Sequence, residues 1–263
     1  MIGNLFDKAI VFLTVPIFTR MMSTNDYGIV NTYLSWVSIL SLIVGLSLGN
    51  SIRSAYIEYK DDINGYISSI LFLSLLNFIL TSIIIIGFVK IFAKNIDYML
   101  VVLCLVQSFM SFIINTISIK YMMGIEFIKR TLLLALPNIV ITIISIIFIS
   151  NMSKEKYLGR ILAYVLVFTI IGMIYFIRCI IIGKKLISKE YWKYAISLSL
   201  PLIFHGLCMN ILATSDRTII TIFKGASEAG IYSLVYNFSM IATVVVSSLE
   251  SVWIPWFNNR IKK

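Results

Sequence analysis

Long apolar runs broken by short polar stretches set the pattern of this chain. Eight runs are long enough for membrane helices, at 3–22, 28–50, 66–92, 97–119, 128–150, 158–180, 196–223 and 229–254. Their length is the criterion, because about 20 mostly apolar residues at about 1.5 Å each cross a hydrocarbon core. A backbone in lipid must satisfy its own hydrogen bonds, so the pattern predicts an all-α polytopic membrane protein. The polar intervals are too short to house a soluble domain. The longest, from Arg178 to Lys193, contains GKKLISKEYWKYA and reads as a basic, aromatic link lying in the interface.

One local pattern occurs twice. In TRMMSTNDYGIVNTYLS (19–35) a helix end leads through Ser and an acid into Gly-Ile, which opens the next helix. TIFKGASEAGIYSLVYN (221–237) repeats it, pairing Asp26 with Glu228 and Gly28 with Gly230 at an offset of 202 residues. Six spans separate the copies, an even number, so both point the same way across the membrane, as in a parallel repeat. The expected organisation is a six-helix lobe over residues 1–182 and a basic link over 183–194. Residues 195–263 then hold the first two helices of a second, incomplete lobe.

Composition agrees with lipid as the solvent. Hydrophobic residues make up 59% of the chain and charged residues 13%, where a soluble domain carries roughly a quarter charged. The net charge of +10 does not imply nucleic acid, because the cations are scattered through loops rather than gathered in a stripe with interleaved aromatics. Setting Arg217 aside, the loops on one side hold 14 Lys and Arg and those on the other hold 7, so both ends of the chain are expected on the cytoplasmic side. Cys104, Cys179 and Cys208 lie in apolar runs without CxxC spacing and read as small hydrophobes. The first run lacks a small-residue cleavage site and leads into further spans, which argues against a removable signal peptide.

Candidate chemistry concentrates in the last two spans. Asn210, Thr214, Arg217, Thr221 and Lys224 recur at helical spacing along one face. Asp216 adjoins Arg217 in sequence but points about 100° away around the axis, so the two are not a natural intrahelical pair. Tyr232, Tyr236, Ser239, Thr243, Ser247 and Glu250 form a facing row on the final span. Span two carries Asn31, Ser35, Ser38, Gly45, Gly49 and Arg53; shorter rows are Ser108, Ser111, Asn115 and Ser118, and Asn138, Thr142 and Ser145. Each row has two readings, helix-to-helix contact or the lining of a cavity. Arg217 either snorkels to the interface or serves a site, since an intramembrane charge is costly without water or a partner. His205, the only histidine, and Glu250 are candidates for coupling or gating. No nucleophile motif, glycine-rich phosphate loop or metal cluster stands out. The loops on the side away from the cytoplasm are too short to hold the catalytic groups of a membrane-embedded glycosyl polymerase or ligase.

PIFTRMMSTNDYGIVNTYLS, GLSLGNSIRSAYIEYKDD, LPLIFHGLCMNILATSDRTIITIFKGASEAGIYSLVYN and WIPWFNNRIKK together resemble the polysaccharide-biosynthesis oligosaccharide flippases of the multidrug/oligosaccharidyl-lipid/polysaccharide exporter superfamily. The resemblance covers essentially the whole chain and is most specific at DR followed by GASEAGIYS. It implies two facing six-helix lobes around a central cavity in the bacterial plasma membrane. Its implied activity is alternating access for undecaprenyl-pyrophosphate-linked oligosaccharide, without covalent chemistry, in the synthesis of O-antigen, capsule or a similar polymer. Arg20, Arg53 and Arg217 match arginines that line the cavity in the family, and with Asn210 and Asp216 they are the candidate substrate-binding residues, the resemblance implying that Arg217 helps neutralise the pyrophosphate. No cofactor is implied; coupling by Na⁺ or H⁺ is open. The implied partners are the lipid-linked sugar, membrane lipids, polysaccharide assembly proteins and a second copy of the chain. Two alternatives remain, a cation-coupled drug antiporter of the same superfamily and an inactive truncated remnant, because most of a second lobe is expected to be missing.

Overall fold

The computed structural model describes residues 14–92 and 97–239. In chain order its helices are α1 (14–21), α2 (Thr24–Val44), α3 (Ile52–Glu58), α4 (Ile63–Phe92), α5 (Tyr98–Met123), α6 (Phe127–Ser150), α7 (Lys156–Gly183), α8 (Lys189–Lys224) and α9 (226–239). Six of them, α2 and α4 to α8, are long and apolar enough to cross a membrane. The chain is a multi-pass, all-α membrane protein.

Local chemistry starts these helices. Ser23 caps α2 in a reciprocal box, its hydroxyl accepting from the Asp26 amide while the Asp26 carboxylate accepts from the Ser23 amide. Asp97 and Ser188 accept from the amides of Met99 and Tyr191 at the starts of α5 and α8. Before α9, Gly225 takes φ 96°, a conformation that costs glycine little and a residue with Cβ much more. Gly225 occupies in the second copy of the repeat the place that Ser23 holds in the first.

The second span is shorter than its apolar pattern predicts. Residues 28–50 read as one helix in the sequence, yet α2 stops at Val44, and Leu46 and Ser47 both take φ 48°. A 3₁₀ turn, Leu48–Ser51, then leads into α3. One side chain of α4 meets two carbonyls at the break: Asn77 donates to Ile43 at 2.9 Å and to Val44 at 2.8 Å. Arg53 therefore sits on a separate short helix rather than at the foot of α2.

α5 is the central element. It buries 61% of its apolar stretch against 11% for α8, packing on α2, α6 and α7. Two apolar clusters fill the bundle. One centres on Leu48, Ile52, Ile70 and Ile113 below the α2 break, and the other on Phe18, Tyr27, Val30 and Ile161 at the opposite end. Small polar groups are sealed between the helices. Ser108 on α5 donates to Cys104 at 2.6 Å and to the Val37 carbonyl of α2 at 3.3 Å, and Tyr33 donates to Gln107 at 2.9 Å. Large apolar groups such as Ile83, Ile84 and Phe88 face outward. That distribution suits lipid rather than water as the surrounding solvent.

α8 is fastened at its start. Its 36 residues run about 54 Å against a hydrocarbon core of about 30 Å, so part of it stands in the interface. The segment before it is tied to α4: Ser68 and Ser69 donate to the carbonyls of Lys185 and Leu186, and the Trp192 indole donates to Ser69. Lys185 donates to Asp62 at 2.5 Å, and that hydrogen bond raises the lysine above its ordinary 10.5. Tyr191 donates to the same carboxylate at 2.7 Å.

Candidate functional site

α8 runs antiparallel to α2 and is joined to it by polar contacts along its length. Ser38 donates to the Asn210 side-chain oxygen at 2.5 Å, and the hydroxyls of Thr32 and Thr221 lie 2.8 Å apart. At the loop end the hydroxyls of Thr24 and Ser227 also meet at 2.8 Å. There the two copies of the sequence repeat lie against each other. A Cβ added to Gly28 would overlap the Ala226 carbonyl, and one added to Gly230 would overlap the Thr24 carbonyl. Thr24 corresponds to Ala226 and Gly28 to Gly230 in the repeat, so the contact is reciprocal. Glycine at both positions lets two backbones approach where side chains would hold them apart.

Arg217 occupies this seam. It is 7% exposed, and its guanidinium donates to the Ala213 carbonyl at 3.3 Å and lies 4.4 Å from the centre of the Tyr236 ring on α9. Among the described residues no carboxylate pairs with it. Its neighbour Asp216 turns to a different tyrosine, accepting from Tyr232 at 2.6 Å. Tyr232 and Tyr236 are one helical turn apart, so α9 meets the adjacent acid and base with two successive rungs of one face. The Asp-Arg pair is thus split between two partners, as its angular spacing requires.

Chemically, a buried guanidinium against an aromatic face can receive an anion. The ring stabilises the cation on one side and leaves in-plane N–H groups for a phosphate or carboxylate. Asn210 lies on the same α8 face, its amide donating to Gly206 at 3.2 Å and its oxygen already taken by Ser38.

The other sequence candidates lie apart. Arg20 is exposed at the end of α1, near the α1–α2 turn, and Arg53 is exposed on α3 at the opposite end of α2. His205 is exposed on α8, eleven residues before Asp216. Glu250 falls outside the described residues, as do Thr243 and Ser247 of the same row.

A family model described as polysaccharide biosynthesis protein matches residues 1–259. The chain belongs to that family. The chain is also similar to protein 1 of the Lsg locus of Haemophilus influenzae, 25% identical over 275 aligned residues, covering 100% of this chain and 65% of the relative's length. The chain thus spans just under two thirds of that relative. No solved structure matches it.

The polysaccharide biosynthesis chain also holds a buried cation that its sequence pattern does not single out. Arg160, one turn into α7, is 8% exposed, and its guanidinium carbon lies 3.6 Å from the centre of the Phe18 ring. In sequence it reads as one of the loop charges that set topology, because it stands at the start of a span. The row Asn138, Thr142 and Ser145 was the available signal. Asn138 and Thr142 line the crevice into which Arg160 reaches.

Proposed function

We propose that this chain contributes to flipping a polyprenyl-pyrophosphate-linked oligosaccharide across the bacterial plasma membrane by alternating access, with both ends of the chain cytoplasmic. The observation that carries the reading is Arg217, a cation buried within an apolar helix and stacked on Tyr236 without a carboxylate partner among the described residues. A fixed charge in that position is costly unless an anion or water meets it, and a pyrophosphate is the anion that a family of polysaccharide biosynthesis has to handle in lipid. The planar guanidinium matches phosphate oxygens in a bidentate way that a lysine does not.

In this reading Arg53 meets the head group on the cytoplasmic side and Arg217 holds it within the membrane. Arg20 meets it on the outer side, and the prenyl chain stays in lipid throughout. Asp216 is held away from the phosphate by Tyr232, which keeps the carboxylate from competing for Arg217. The glycine contact between Gly28 and the start of α9 closes the outer end. No bond of the substrate is made or broken, so the protein supplies only charge, shape and two access states.

The test uses cells that make the lipid-linked sugar but lack their own flippase. The intact protein is expressed, its insertion verified, and a membrane-impermeant probe applied to the outer face. Labelled sugar with the natural protein and a loss with Arg217→Ala support the reading. Full labelling by the Arg217→Ala protein removes that residue from the path, and none with either protein turns attention to a cation-coupled antiporter.

A further inference from the structure

We propose that the crevice between α1, α6 and α7 is a small-anion site built around Arg160, for which chloride is the probe. The crevice is lined by Thr14, Phe18, Asn138, Thr142, Arg160 and Tyr164, and its volume of about 10 Å³ admits one water-sized particle. Arg160 is more than nine-tenths buried, and its Nε and Nη1 are sealed from solvent without a hydrogen-bond partner.

The faces and the edges of this guanidinium are treated differently. Aromatic rings cover its surroundings: Phe18 at 3.6 Å, and Tyr27 and Tyr164 at 5.9 Å each from the guanidinium carbon. Rings offset part of the charge but accept no in-plane hydrogen bond. Of the acids at this end, Asp26 is engaged with Ser23 and Asp97 with the amide of Met99, and Glu155, just before α7, is exposed. Lys156, one turn before Arg160, points to the Met21 carbonyl at 3.0 Å and adds positive potential rather than relieving it.

Two buried, unpartnered donors and a net positive charge beside a small, partly open volume favour an anion. Water fills the space but leaves the charge uncompensated. The small volume favours a monoatomic anion over phosphate, sulfate or the carboxylate of a sugar. The Thr142 hydroxyl donates to the Asn138 carbonyl at 2.8 Å, so it offers the crevice no proton. The anion would be held by Arg160, with Tyr164 on the wall as a further donor. This site is separate from Arg217 and stands whether or not the protein moves lipid-linked sugar.

The experiment uses the purified protein in lipid nanodiscs, with chloride replaced by gluconate at constant ionic strength. Saturable broadening of the chloride NMR line, competed away by bromide, is expected, together with a melting temperature that rises and levels off as chloride is added. Arg160→Gln should weaken chloride by about tenfold or more, the loss of one charge-assisted contact, while Arg217→Ala should leave it unchanged. If Arg160→Gln does not fold, Tyr164→Phe takes its place and should weaken chloride while keeping the fold. No chloride dependence of line or melting in the natural protein would overturn the proposal and leave Arg160 as a water-solvated, ring-stacked cation. Equal chloride binding after Arg160→Gln would overturn it as well.

Discussion

Arg160 and Arg217 are buried to nearly the same degree, 8% and 7% exposed, and each guanidinium rests on an aromatic ring. They differ in what closes around them. Arg160 has two nitrogens sealed and unpaired inside a bundle of α1, α6 and α7, whereas Arg217 has no sealed, unpaired nitrogen. Arg217 also stands where the two copies of a repeat meet, at a seam made of glycine contacts and single hydroxyl pairs. A sealed cation suits a small resident ion. An unsealed one at a seam suits a large ligand that comes and goes.

The largest expected effect separates the two. Arg217→Ala should lower affinity for a prenyl pyrophosphate by about tenfold or more, the loss of at least one charge-assisted hydrogen bond. Arg217→Lys should recover part of it, because an ammonium keeps the charge but not the fork. Arg160→Gln should leave that affinity unchanged. A radioligand titration on the purified protein measures all three.

Next comes the seam. Gly28→Val places a side chain against the Ala226 carbonyl and the Gly230 amide, and overpacking of this kind costs about 1–3 kcal/mol. Pushing α9 away also draws Tyr236 off Arg217, so pyrophosphate binding should fall along with the melting temperature. Chloride binding at Arg160 should survive. A variant that melts normally would mean the glycines do not hold the seam.

The rings give a smaller effect. Tyr236→Leu should weaken the Arg217 site by about 0.5–2 kcal/mol, the range of a cation–π contact, and Tyr236→Phe by less. Phe18→Leu should act in the same way on chloride binding and not on pyrophosphate. Crossed effects would show that the two sites are coupled.

Arg20 and Arg53 should matter least for binding. Both are exposed, and their replacement by alanine should change stability by no more than about 0.5 kcal/mol. Their effect should appear in the rate of head-group capture and shrink as salt is added. Stopped-flow association at two ionic strengths measures it.

Much of the architecture was legible because lipid imposes it. A span must be long, apolar and self-bonded, so the runs that become α4 to α8 stand out in the sequence. The break after Val44 was not legible. GLSLGNSIRS has no proline, and its break rests on two left-handed residues and on Asn77, which arrives from a helix 33 residues beyond Val44. Arg217 announced itself because it interrupts an apolar run about two turns before its end. Arg160 did not, since a cation in the first turn of a span looks like topology until α1 and α6 close over it. The repeat was visible as an echo, but its two glycines meet only in three dimensions.

The most direct test is binding of a short-chain prenyl pyrophosphate to the purified protein, compared among the natural sequence, Arg217→Ala and Arg160→Gln. The account predicts saturable binding that Arg217→Ala weakens by about tenfold or more and Arg160→Gln leaves intact. Equal binding by the natural protein and Arg217→Ala would contradict it.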